Sequence, residues 1–118
     1  MTIHVKLIQP ITTHGIRKDD HLSSMKLDDL KVTAKGIDIG PNSIECEYEE
    51  AMSQPDTILK IIDAENEGCD AAVIDCMGDP GLKGARECVS IPVVGPCETA
   101  MHYACLLYTS DAADDRIG

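Results

Sequence analysis

The chain has 118 residues, 43% of them hydrophobic, which allows one modest globular domain with a packed core and leaves no room for a second. Twenty-one acidic residues against ten basic ones give a formal net charge of -11, which repels nucleic acid and anionic membranes and excludes both as expected partners. Because the chain contains neither Trp nor Phe, its core must be aliphatic.

The apolar stretches are shorter than a membrane span, and the first residues lack the pattern of a signal peptide, so we expect a cytoplasmic protein. Six cysteines are present, none of them in a Cys-x-x-Cys pair. We therefore expect reduced, mostly buried thiols rather than disulfides or a structural zinc site.

The first predicted element is a strand over residues 3–8, where apolar and polar side chains alternate, followed by a polar loop over 9–15. A weak helix is predicted over 16–30. A second strand is predicted over 31–37, and Gly40-Pro41 then opens a turn.

Two helical segments are predicted next. The first is a short acidic one over 43–52, and the second is a clearer helix over 55–67 that begins at Pro55 and is ended by Gly68. Its predicted buried stripe consists of Ile58, Leu59, Ile61 and Ile62.

A nearly continuous apolar run over 70–76 predicts a strand covered on both faces. After a turn over 77–81, a helix is predicted over 82–89, a short strand over 92–95 and a helix over 98–107. This alternation predicts a parallel α/β sheet with helices on both faces, in which ligands bind beyond the carboxyl ends of the strands.

The last residues lose apolar periodicity where another strand would be expected. The predicted domain therefore covers residues 1–107, and residues 108–118 are predicted to be a non-native or disordered tail.

Cys76 is the strongest catalytic candidate. It stands at the carboxyl end of a predicted strand and before a turn into a helix, where backbone N–H groups and the helix dipole favour an anion. A thiolate held in this way is a capable general base. Cys97, also in a strand-to-helix loop, is the nearest rival among the other cysteines.

Four segments, in order, resemble one family. Residues 75–87, DCMGDPGLKGARE, resemble the first catalytic-cysteine segment of the aspartate/glutamate/hydantoin racemase family, especially its hydantoin racemase branch. The loop QPITT at 9–13 is similar to the family's Asn-Pro-Asn-Thr-Thr loop. GPNSIE at 40–45 is similar to its Gly-Pro-x-Ser-Ile-Glu segment, and 92–102 to its Pro-Val-x-Gly-x-x-Glu-Ala segment.

The resemblance implies a flavodoxin-like, three-layer α/β domain that is half of a two-domain racemase. It also implies racemisation or epimerisation at a carbon next to a carbonyl, with no pyridoxal phosphate, other cofactor or metal. Cys76 would be one of two acid/base thiols, and the second would belong to a similar domain after residue 107. The chain is therefore expected to be a fragment, inactive or nearly so alone.

The same resemblance implies substrate contacts. The hydroxyls of Thr12 and Thr13 and the backbone N–H groups of Met77 and Gly78 are expected to hold a substrate carboxylate or ring carbonyls and to stabilise enolate-like charge. The full implied substrate-binding set is Pro10, Thr12, Thr13, Ser43, Met77 and Gly78.

The substrate stays open, because Gln9 and Ile11 stand where the family has asparagines. It is expected to be a small molecule, whether hydantoin, aspartate, glutamate or another acid, and a homo-oligomer is left open. The alternatives are a related decarboxylase or cis–trans isomerase of the same fold, or a non-catalytic flavodoxin-like binding domain with structural cysteines.

Other polar residues have weaker cases. His14 and His102 are pocket candidates, although a lone histidine is more often structural. Asp79 is expected to cap the helix that follows it. Tyr48 is a further pocket candidate, and the acidic residues around it are expected to face solvent.

Overall fold

The computed structural model describes residues 1–13 and 27–115, with side chains up to residue 108. In chain order the described elements are β1 (Ile3–Gln9), β2 (Leu30–Gly36), α1 (Glu47–Asn66), β3 (Ala71–Ile74), α2 (Leu82–Cys88), β4 (Val93–Val94) and α3 (Pro96–Asp115). The strands are all parallel, in the order β2-β1-β3-β4, which confirms the predicted α/β class. His14 and most of the weak helix predicted over 16–30 lie outside the described residues.

The strand register separates the two faces of this sheet. Ile8 pairs with Ile74 and Ala72 with Val93, and all four side chains are buried on one face. Alternate residues of the same strands, which point to the opposite face, are half-buried. The buried face forms the core together with side chains of α1 and α2, namely Ile61, Leu82 and Ala85.

Helix α1 runs through Pro55, so the prediction of a short acidic helix followed by a separate helix beginning at Pro55 is wrong. Proline removes one helical N–H, but both Pro55 and Ala51, whose carbonyl would accept from it, are exposed to water. Buried hydroxyls bond to the backbone on either side. Ser53 Oγ donates to Glu50 O at 2.6 Å, and Thr57 Oγ1 donates to Ser53 O at 2.7 Å.

The buried stripe of α1 also differs from the prediction at one position. It follows four-residue spacing through Ser53, Thr57 and Ile61, all fully buried. Leu59 lies off this stripe and is 55% exposed, whereas Ile58 and Ile62, also predicted to be buried, are half-buried. Two polar residues therefore occupy core positions that hydropathy alone does not reveal.

Helix α3 begins at Pro96 and ends at Asp115, so it is longer at both ends than the helix predicted over 98–107. Residues 108–115 continue the helix, and the separation of a 1–107 domain from a non-native tail stays a prediction. Although α1 and α3 each have 20 residues, no helix in the described part of the chain combines the length and apolarity needed to cross a bilayer.

Candidate active site

A cavity of about 290 Å³ lies beyond the carboxyl ends of β1 and β3. Because Ile8 and Ile74 pair at the end of the register, the loops after β1 and β3 leave the sheet side by side. A third loop, which precedes α1, completes the wall. The lining residues are Gln9, Pro10, Ile11, Thr13, Ser43, Ile44, Asp75, Cys76 and Met77.

Most of the predicted site residues come together here. Pro10, Thr13, Ser43, Cys76 and Met77 line the cavity, whereas Thr12 and Gly78 do not line it. Sequence reasoning did not single out Ile44 and Asp75 as site residues, although both lie inside segments that carry the family resemblance. Their position next to Ser43 and Cys76 was the signal that could have found them.

The Cys76 thiol is half-buried and lies between the core and the cavity, since Cys76 packs against the core cluster and also lines the cavity wall. Asp75 N still donates to Ile8 O at 2.8 Å, which extends the ladder by one residue. The chain then turns at once, because Cys76 N donates to Ile74 O at 2.9 Å. The end of β3 thus places the sulfur at the edge of the sheet.

The other cysteines correct the expectation of mostly buried thiols. All six are free, but Cys46, Cys88 and Cys105 are exposed, Cys97 is half-buried and Cys69 is the buried one. The apolar character of cysteine predicts burial, yet α2 is short and α3 lies mostly in solvent, so their cysteines have little to pack against.

The loop after β1 is fastened to the loop before α1 by its threonines. Thr12 N donates to Pro41 O at 2.9 Å, and Thr12 Oγ1 donates to Asn42 Oδ1 at 2.6 Å. Thr13 Oγ1 donates to Asn42 O at 2.8 Å. Each hydroxyl has one proton, so these bonds leave lone pairs rather than donors for a ligand.

The turn after Cys76 is bonded to the start of α3 through Asp79, rather than to the start of α2 as predicted. Asp79 accepts from Cys97 N at 3.0 Å through Oδ1 and from Glu98 N at 2.8 Å through Oδ2, so it caps α3. The prediction that it caps the following helix, α2, is wrong, because the residue before α2 is Gly81, with φ of 80° and no side-chain cap. Asp79 itself has φ of 49°, which turns its carboxylate toward α3.

Glu98 forms an ion pair with Arg86 and does not line the Cys76 cavity. Arg86 Nη1 and Nη2 donate to its carboxylate at 3.0 and 2.7 Å, and Arg86 Nε and Nη2 donate to Val93 O at 3.1 and 3.0 Å. The hydrogen bond from Arg86 lowers the pKa of Glu98, and the same bond raises the pKa of Arg86. The pair joins α2, β4 and the start of α3.

The remaining candidates lie elsewhere. His102 and Cys97 line a separate cavity of about 360 Å³, together with Asp79, Glu98, Met101 and Cys105. Tyr48 is 72% exposed and does not line the Cys76 cavity. The structure therefore brings neither the rival cysteine nor these aromatic and imidazole side chains to Cys76.

The described surroundings of the cavity are acidic. Asp75 is the charged residue among the described lining residues, and none of these is Lys or Arg. Glu50 lies beside Gly78, where a Cβ on the glycine would be 3.3 Å from Glu50 Oε1. An anionic ligand would thus find no Lys or Arg among the described lining residues.

Comparison with known proteins gives consistent matches. The model of the Asp/Glu/hydantoin racemase family matches residues 20–116. The chain is 42% identical over 105 residues to the hydantoin racemase of Pseudomonas sp. (strain NS671), covering 87% of this chain and 42% of that protein. It is 38% identical over 104 residues to the hydantoin racemase of Rhizobium meliloti, covering 86% of this chain and 43% of that protein.

A solved structure, the allantoin racemase from Klebsiella pneumoniae, matches with a TM-score of 0.80 and 29% sequence identity over 89% of this chain and 44% of that one. These relatives are all racemases. The chain belongs to the Asp/Glu/hydantoin racemase family, which confirms the resemblance seen in its four segments. It spans less than half the length of each of these relatives.

Proposed function

We propose that this chain supplies one half of the active site of a cofactor-independent racemase that acts on hydantoins or related amino-acid derivatives. Cys76 is proposed as one of its two acid/base thiols. The observation that carries the proposal is the position of Cys76 on the wall of a cavity where three loops meet, each from a segment that resembles the family. Similarity to two hydantoin racemases and an allantoin racemase supports the same chemistry.

In this mechanism the Cys76 thiolate removes the proton from the carbon next to a ring carbonyl. The C–H electron pair moves into the carbonyl and leaves negative charge on its oxygen. A second thiol returns a proton to the opposite face of the carbon, which inverts the centre. Loss of a proton from Cys76 to solvent and uptake of one by the second thiolate then restore both groups.

Two backbone donors are candidates for binding the developing oxyanion. The N–H groups of Met77 and Gly78 directly follow Cys76, and neither donates a hydrogen bond to another described residue. Donors that are already oriented toward the place where charge develops stabilise a transition state more than donors that must reorganise. Of the two residues, Met77 lines the cavity and Gly78 does not, so we propose that the Met77 N–H binds the carbonyl oxygen next to the reacting carbon.

The lining favours a neutral ring over a dicarboxylic amino acid. Pro10, Ile11, Ile44 and Met77 give the cavity an apolar surface. The additional carboxylate of aspartate or glutamate would find no cation among these described residues. A hydantoin ring carries no formal charge, and its N–H groups can donate to the lone pairs that Thr13 retains.

The second thiol is proposed to come from outside these 118 residues. The chain spans 42% of the Pseudomonas hydantoin racemase, and its nearest rival thiol, Cys97, lines a different cavity from Cys76. The 118-residue chain alone should therefore be inactive or nearly so. A cytoplasmic location is also proposed, because thiol acid/base chemistry needs cysteines that stay reduced.

The test uses the complete protein encoded by the gene, with a 5-substituted hydantoin in deuterated water. Wild type should exchange the ring C–H for deuterium, as followed by NMR, and should abolish the optical rotation of a single enantiomer. Cys76→Ser should lower both rates by about 10²–10⁴-fold, the usual contribution of a general base. Cys88→Ser is the matched control, because Cys88 is exposed on α2 and does not line the cavity.

Unchanged exchange in Cys76→Ser would remove this thiol from the mechanism. Release of carbon dioxide from a substituted malonate, or isomerisation of maleate, by a protein that leaves hydantoins unracemised would favour the decarboxylase or cis–trans isomerase alternative instead.

A further inference from the structure

We infer that Asp79 is a positioning residue for Cys76. Its carboxylate fastens the turn that follows the thiol to the start of α3, and so holds the sulfur at the cavity wall. This inference rests on the acid/base role proposed for Cys76. Asp79 does not line the Cys76 cavity, so its effect on the reaction is indirect.

The backbone of Asp79 is held in an unfavourable conformation. Its φ of 49° is the one positive value among the described non-glycine residues. Few residues other than glycine adopt this region, although Asp and Asn do so more readily than most, and surrounding contacts determine the conformation here. Here Asp79 N donates to Cys76 O at 3.0 Å, and Asp79 O accepts from Leu82 N at 3.2 Å. The carbonyl of the proposed catalytic residue is thus bonded directly to Asp79.

The junction between β4 and α3 is shaped to the Asp79 carboxylate. Gly95 is buried against it, and a Cβ on Gly95 would lie 2.5 Å from Asp79 Cγ and 2.6 and 2.7 Å from its oxygens. Only a residue without a side chain leaves room for the carboxylate to reach the N–H groups of Cys97 and Glu98. The Asp79 carboxylate is therefore held by close packing against Gly95 as well as by its hydrogen bonds.

The start of α3 is itself anchored. Glu98, whose N–H donates to Asp79, has its carboxylate bound by Arg86, and Arg86 also donates to Val93 O. Asp79 therefore connects the turn after Cys76 to a part of the structure that α2 and β4 hold in place. Because a displacement of about 1 Å in a catalytic group can lower a rate about 10²-fold, loss of this connection should reduce turnover.

Two variants break the connection in different ways. Asp79→Asn keeps the side-chain size and tolerates positive φ. Its amide has one accepting oxygen and one donating NH2 group, so one of the two backbone N–H groups faces a donor and loses its hydrogen bond. Gly95→Ala keeps the carboxylate and displaces it by steric contact. Asp56→Asn is the matched control, because Asp56 Oδ2 also accepts from two consecutive backbone N–H groups, those of Asp38 and Ile39, away from the cavity.

In the complete protein, Asp79→Asn and Gly95→Ala should each lower kcat for hydantoin racemisation by about 10- to 100-fold and change KM by less than about twofold. Circular dichroism gives the folded fraction of each variant. Per folded molecule, Asp56→Asn should have the kcat of wild type. A kcat for Asp79→Asn and Gly95→Ala equal to that of the control overturns the inference.

A second measurement does not depend on racemase activity. In the 118-residue chain, iodoacetamide alkylation of Cys76 should be faster in Asp79→Asn and Gly95→Ala, because release of the turn uncovers a half-buried thiol. Buried Cys69 is the internal reference for general loss of structure. A rise in the ratio of Cys76 to Cys69 alkylation supports positioning, whereas an unchanged ratio overturns it. If wild type racemises no hydantoin, the proposed function fails, and this ratio still decides the role of Asp79.

Discussion

The two ends of β3 each carry a cysteine, and their surroundings differ. Cys69, two residues before the strand, is 3% exposed and lies with its Sγ 3.6 Å from His4 Nδ1. Burial raises the pKa of the Cys69 thiol. Cys76, two residues after the strand, is half-buried and lines the cavity. The same residue type is enclosed at one end of a parallel strand and accessible at the other.

The two ends of β3 also differ in how their polar groups are hydrogen-bonded. At the amino end, His4 N donates to Asp70 Oδ2 at 2.8 Å, and the His4 ring contacts Thr33 Oγ1 at 2.8 Å. At the carboxyl end, the N–H groups of Met77 and Gly78 have no partner among the described residues. Of these two residues Met77 also lines the cavity, so the carboxyl end is the one suited to a ligand.

The largest expected effect concerns the core that both ends share. Ile74 is fully buried in β3, so Ile74→Ala should lower the free energy of unfolding by about 2–5 kcal/mol, from lost burial and an unfilled cavity. Urea denaturation measures it. Leu59→Ala, at a position 55% exposed, should change stability by about 0.5 kcal/mol or less. Similar losses in the two variants would contradict the described core.

Alkylation of wild type compares the two cysteines directly. In a short iodoacetamide pulse near neutral pH, Cys76 should react at least about tenfold faster than Cys69, because burial both hinders reagent and raises the pKa of Cys69. Mass spectrometry of the alkylated peptides measures the ratio. Equal alkylation of Cys76 and Cys69 would instead favour a non-catalytic binding domain with structural cysteines.

The smallest effect concerns the ion pair near the amino end. Lys6 Nζ lies 3.0 Å from Glu67 Oε2, and the hydrogen bond and charge of Lys6 lower the pKa of Glu67 from its ordinary value of 4.5. The pairing therefore contributes to stability above that ordinary value and is lost as the pH falls through the lowered one. Lys6→Met should lose less stability than wild type on acidification, by a small margin, since Glu67 is exposed and screened.

Urea denaturation of both proteins between neutral and acidic pH measures this margin. Parallel loss of stability in wild type and Lys6→Met would show that the pair contributes nothing to folding.

Much of the fold follows from local patterns in the chain. Alternating residues around Leu7 and the apolar run over 70–76 predict β1 and β3, and the order of elements predicts a parallel sheet. The position of Cys76 after a strand predicts that it lies at the carboxyl edge. These features depend on residues close together in sequence, which is why they can be inferred without coordinates.

Other features depend on partners far along the chain. Asp79 caps a helix through N–H groups 18 and 19 residues away, and Thr13 bonds to Asn42, 29 residues away. Local rules assign the Asp79 carboxylate to the next helix. They likewise begin a separate helix at Pro55, because they do not include the buried hydroxyls that bond to the backbone on either side of it.

The sequence by itself determined the family, the α/β class and the placement of a thiol at the end of a strand. Tertiary structure decided which side chains surround that thiol, which hydroxyls have already donated their protons and which carboxylate holds the turn. The physical reason is that backbone periodicity records which face of a strand or helix is buried, whereas the direction of each polar bond depends on how distant segments pack together.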